Sequence, residues 1–93
     1  MQAGEVGVRI RVDAIVDLVG TTTRELIVCG PLDATPRSLS MTIDTPTNFA
    51  VRTTIATDFP DPGNYFIQLK ATFADGRILK SPVKLLHVGV MIL

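Results

Sequence analysis

Tryptophan is absent from this 93-residue chain, and cysteine and histidine occur once each, as Cys29 and His87. A single cysteine excludes any intrachain disulfide, so the fold stands on packing alone and a secreted disulfide scaffold is ruled out. One histidine and one cysteine cannot assemble a histidine–cysteine metal cluster. Net charge is lacking too: nine basic residues cancel nine acidic ones, which argues against an electrostatic nucleic-acid binder. No apolar run approaches the ~20 residues needed to span a bilayer. Glu5, Arg9, Arg11 and Asp13 interrupt every candidate signal-peptide core, so a soluble protein made in the cytoplasm is expected. A Gly-rich phosphate loop and a Ser-His-Asp set are also missing.

What is present is apolar residues in short alternating runs. Hydrophobic content is 46%, enough for a real interior, and the length suits one domain over residues 1–93. Val6, Val8, Ile10 and Val12 alternate with Arg9 and Arg11, which predicts a strand with those arginines on its wet face. Asp13 to Gly20 reads as an extended passage. Thr21 to Cys29 is rich in β-branched residues and predicts a second strand. After the Gly30–Pro36 turn, Ser38–Ile43 alternates and is expected to bury Leu39, Met41 and Ile43 in one strand. Beyond Asp44–Asn48, the strand from Phe49 to Ile55 is expected to turn Phe49, Val51 and Ile55 inward and Arg52 outward.

The segment Asp58–Val88 spells a long hairpin: a proline-rich turn, a strand from Asn64 to Phe73, the Asp75-Gly76 turn, and a final apolar run. Pro82 falls inside that run and is expected at a bulge or an edge, where no ladder donor is needed. Tyr65 follows Pro62-Gly63 at the strand start and reads as a corner tyrosine whose hydroxyl returns to the turn backbone. About seven short strands with no helical period predict an all-β protein, an immunoglobulin-like antiparallel β-sandwich.

Catalytic chemistry is hard to assemble from these residues. Cys29 lies in the run Leu26-Ile27-Val28 and reads as a buried small hydrophobe rather than a nucleophile paired with His87. Asp13, Asp17, Asp33, Asp44, Asp58, Asp61 and Asp75 fall in turns, where aspartate caps its own backbone. Asp58–Gly63 is too poor in ligands for a Ca²⁺ loop, which leaves only a weak loop-bridging pair in Asp13 and Asp17. No enzyme activity, cofactor or metal is therefore expected. Interaction signals are clearer. Phe66 has the opposite parity to Tyr65, so one of the two faces outward. Gly89-Val90-Met91-Ile92-Leu93 is wholly apolar, a candidate docking tail that either follows its own sandwich or meets a neighbouring subunit. Arg9 and Arg11 could meet an acidic partner, a solvated face being the alternative.

Taken in order, Gly4-Glu5-Val6-Gly7, Val16–Thr22, Glu25–Val28, Asp58–Tyr65 with Gln68, and Phe73–Arg77 with its closing strand resemble a family of small tailed-bacteriophage proteins. These are immunoglobulin-like domains similar in pattern to baseplate and tail-fibre adaptor domains. The likeness covers nearly the whole chain and lapses at residues 29–36. It implies a virion structural protein, assembled in the host cytoplasm in several copies, partnered by other virion proteins and by neither nucleic acid nor membrane. A tail, baseplate or fibre-linking subunit is favoured. The alternatives are a capsid decoration protein and a module that binds a surface carbohydrate.

Overall fold

The computed structural model describes residues 1–89, and within them every regular element is a strand. In chain order these are β1 (Arg9–Asp13), β2 (Thr21–Cys29), β3 (Arg37–Ser40), β4 (Thr42–Ile43), β5 (Phe49–Thr53), β6 (Gly63–Phe73), β7 (Ile78–Lys80) and β8 (Lys84–Val88). The all-β expectation holds, with eight strands in place of about seven. They form two antiparallel sheets, arranged as a β-sandwich. One sheet has the order β1-β5-β4; the other runs β3-β2-β6, with β7 and β8 end to end along the far side of β6.

Between the sheets lies one core. Leu26 and Val28 of β2 meet Leu69, Ala71 and Tyr65 of β6 on one side, and Ala50 of β5 with Ile10 and Val12 of β1 on the other. Each fully buried Leu or Val contributes about 1.5–3 kcal/mol, and the period-two alternation decides which residues do so. Loops add Phe59 and Leu18, both fully buried. Phe59 meets the Tyr65 ring edge-on, with centroids 5.0 Å apart.

β2 has the bounds its sequence predicts. The final hairpin also forms, divided where proline requires it: β7 pairs with Lys70–Thr72, β8 with Gly63–Ile67, and Pro82 occupies the gap. There Ser81 replaces the ladder. Its backbone N–H donates to Leu69 O and its Oγ accepts from Leu69 N, both at 2.9 Å.

Four expectations are corrected. The first strand begins at Arg9 rather than Val6, because Gly7 adopts a φ of +85° that turns the chain out of the extended region, and Val6 is left exposed. Ser38–Ile43 is not one strand. At buried Met41, whose N–H donates to Arg24 O, the chain leaves β3 in one sheet and enters β4 in the other. The passage from Asp13 to Gly20 is looped: Asp13 Oδ1 accepts from Ile15 N at 2.8 Å and Asp17 Oδ1 from Val19 N at 3.0 Å, with Ile15 at φ +65°. The parity of β5 is reversed as well. Ala50 is fully buried, Arg52 points inward, and Ile55 is exposed.

Candidate functional site

The inward Arg52 has a buried reason. Its guanidinium forks onto Asp58, with Nε donating to Oδ2 at 2.8 Å and Nη2 to Oδ1 at 2.9 Å. Ile55 N–H also donates to this carboxylate, and Arg37 donates to the Asp58 and Thr57 carbonyls while its Nε reaches Asp33. Burial pushes the Asp58 carboxyl up, but Arg52, the Ile55 amide and Arg37 outweigh it and hold the pKa below the ordinary value. Asp58 is thus more than a turn-capping aspartate. It binds β5 to the loop before β6, while Arg37 brings in β3. Sequence parity missed this cluster; an arginine set six residues before an aspartate in a strand-to-turn segment was its only signal.

On the outer face of the three-stranded sheet, Asp44 receives both Arg9 Nη2 and Arg11 Nε at 2.8 Å. Arg11 also lies over the Phe49 ring, 3.7 Å from its centroid, and donates to Thr45 O. The Thr45 backbone N–H and the two arginines lower the Asp44 pKa. Arg9 and Arg11 therefore already bind an acid of their own chain.

Phe66 is the outward member of its pair, 55% exposed, while Tyr65 is buried. Register sets Phe66 between Cys29 of β2 and Leu85 of β8, and Leu85 is 60% exposed. Phe66 and Cys29, with Ile27, Pro36 and Val83, line a shallow apolar cavity of about 170 Å³ on the outer face of the larger sheet. Cys29 is half-buried here rather than in the core, because Leu26 and Val28 hold the inward parity. His87 pairs with Asn64, and the strand carrying it is separated from β2 by β6, so Cys29 and His87 are not on adjacent strands. Val90, Met91, Ile92 and Leu93 lie outside the described residues.

The Tyr65 expectation holds. Its Oη donates to Asp61 O at 2.8 Å and accepts from Asp61 N at 3.1 Å. Beside it, Gly30 leaves room that a side chain could not share without displacing the ring: a Cβ there would overlap Tyr65 Cε1. Among the described residues no group of three or more His, Cys, Asp or Glu is placed to hold a metal ion, Asp13 and Asp17 included. No helix among them is long and apolar enough to cross a membrane.

A third surface is the seam between β1 and the β7–β8 edge, an apolar cleft of about 330 Å³ floored by Ile10, Val12 and Ile67. Met1–Ala3 close the seam at one end, where Ala3 N donates to Gly89 O and Gly89 N to Met1 O. No protein-family model, curated protein or solved structure matches this chain.

Proposed function

We propose that this chain is a non-enzymatic structural subunit of a tailed-bacteriophage particle, a tail, baseplate or fibre-linking component assembled through strand edges and apolar surface. The observation that carries an assembly role is the band of Phe66, Val83 and Leu85 on the outer face of the larger sheet, each more than half exposed. Contiguous apolar surface of this kind is costly in water and is covered in an assembly. The virion setting rests on the ordered resemblance of residues 4–77 to phage adaptor domains. Two features support the immunoglobulin-like form of the sandwich. Tyr65 makes the corner hydrogen bonds at the start of its strand, and the sheet order β3-β2-β6-β8 matches a C′-C-F-G arrangement facing the B-E-D order of β1-β5-β4.

Locating a tagged copy in purified particles tests the setting. Density at the tail or baseplate is the expected result, density on the head surface favours a decoration protein, and absence from particles overturns the reading. The double variant F66S/L85S tests the band, with particle incorporation expected to drop while the isolated domain stays folded. Soluble glycan binding lost in the same variant would favour the carbohydrate-binding alternative.

A further inference from the structure

We infer that β1 is a self-pairing edge, through which two copies of this chain join their smaller sheets about a two-fold axis. The inference goes beyond the virion reading and does not depend on it.

The free edges of the sandwich differ in how they are protected. Along the β7–β8 edge stand Lys80, Pro82 and Lys84, and Lys84 is paired with Ile67, so its charge points to the inner face. Edge lysine, proline and inward-pointing charge are the devices that stop strand addition. β4 spans only two residues, and β3 is flanked by Pro36 and leaves its sheet after Ser40. β1 has neither proline nor inward charge, since its inner face carries Ile10 and Val12. Its two arginines share Asp44 on the outer face, which leaves one net positive charge there. No described residue pairs with its free side, because Met1–Ala3 bond to Gly89 instead.

The hydrogen-bond parity of β1 fixes what that side offers. Thr54 N donates to Val8 O and Ala14 N to Asn48 O, both at 2.8 Å, so even-numbered residues face β5. The N–H and C=O groups of Arg9, Arg11 and Asp13 therefore point away from the sheet. An antiparallel copy can match these odd positions only in certain registers. Centring on Arg11 sets Arg9 opposite Asp13 of the second copy, twice, and Ile10 opposite Val12, twice. Shifting the centre to Ile10 opposes Arg9 to Arg11. Shifting it to Val12 opposes Arg11 to Asp13 but sets Arg9 against Ile15, beyond the strand end and at φ +65°, so only three residues of each strand pair instead of five. Arg11 faces its own copy at the axis, where its charge is countered by Asp44 and spread over Phe49. Charge complementarity and full use of the five-residue strand together select the Arg11-centred register, and the pairing is isologous, as a two-fold contact must be. The cleft beside β1, with its floor of Ile10, Val12 and Ile67 and with Pro82 and Lys84 on its β7–β8 side, gives the incoming strand room and a largely apolar floor.

A mixing experiment tests this on the full chain by analytical ultracentrifugation up to about 1 mM protein. Wild type is expected to show a monomer–dimer equilibrium. R9E places acid opposite Asp13 in both junctions, and D13K places base opposite Arg9 in both, so each variant alone is expected to be monomeric. An equimolar mixture has one acid and one base at each junction and is expected to recover the dimer. Because D13K also removes the cap on Ile15 N, circular dichroism checks folding, and R11P serves as a second variant that deletes an outward N–H without touching the β5 ladder. A monomeric wild type overturns the inference. So does a dimer that survives R9E and R11P, or one abolished by F66S/L85S, which would place the contact on the other sheet.

Discussion

Arg52 and Asp58 face each other across the interior as a two-pronged ion pair, with Asp58 almost wholly enclosed and six residues along the chain from its partner. Removing one member strands the other charge in a low-dielectric site. D58A and R52A are each expected to lose about 3–5 kcal/mol of stability, read from urea unfolding midpoints. The double variant R52M/D58L, which leaves neither charge, is expected to lose less than either single change.

The same pair sets the response to acid. Asp58 is held below its ordinary pKa, so in the unfolded chain it binds a proton more readily than in the folded one. Its stabilising share is fully present above the unfolded carboxyl value of about 3.9 and is lost as pH falls through the lower folded value. Asp17, Asp44 and Asp75 are also lowered, chiefly by the backbone N–H groups of Val19, Thr45 and Arg77, but all three are at the surface. Urea midpoints taken from pH 6 to pH 2 should fall steeply for wild type and less steeply for D58N.

Gly30 lies against the Tyr65 ring, and the overlap involves a fully buried side chain that cannot swing away. G30A is expected to cost roughly 1–3 kcal/mol through displacement of the ring. Y65F keeps the ring but releases both Asp61 backbone groups, with an expected cost of about 1 kcal/mol. Thermal unfolding of the two variants separates a steric loss from a hydrogen-bond loss.

Ile15 is a β-branched residue at φ +65° with its side chain 80% exposed, so it incurs backbone strain without gaining burial. Asparagine tolerates that conformation far better. I15N is expected to raise stability by about 0.5–1 kcal/mol, measured as an increased urea midpoint.

The sequence made some of this legible and hid the rest for identifiable reasons. Gly20 and Gly30 bracket a run rich in β-branched residues and free of glycine and proline, and β2 starts and stops with it. Phe66 could be placed on the outside because Tyr65 takes the inside, and adjacent strand residues alternate faces. The change of sheet at Met41 left no trace, since Leu39, Met41 and Ile43 keep one apolar parity whichever sheet receives them. Phe49 and Val51 suggested the wrong inner face for β5, because local hydrophobicity cannot register that a charged residue will be neutralised by one beyond the strand. The open side of β1 was equally hidden: a strand becomes an edge through what fails to pair with it, and pairing is a property of the whole topology.

The pairing of β6 with β2 carries a cost in time. It joins Thr21 to Phe73 and Cys29 to Phe66, so the central ladder of the larger sheet spans about half the chain before it closes. The hairpin contacts of β6 with β7 are local and can form at once, whereas the β2 ladder must first overcome the entropy of a long loop. The distant zipping of β2 onto β6 is therefore the step expected to limit folding. Until it is complete, β6 has one side already covered by its neighbours in sequence and the other waiting for β2.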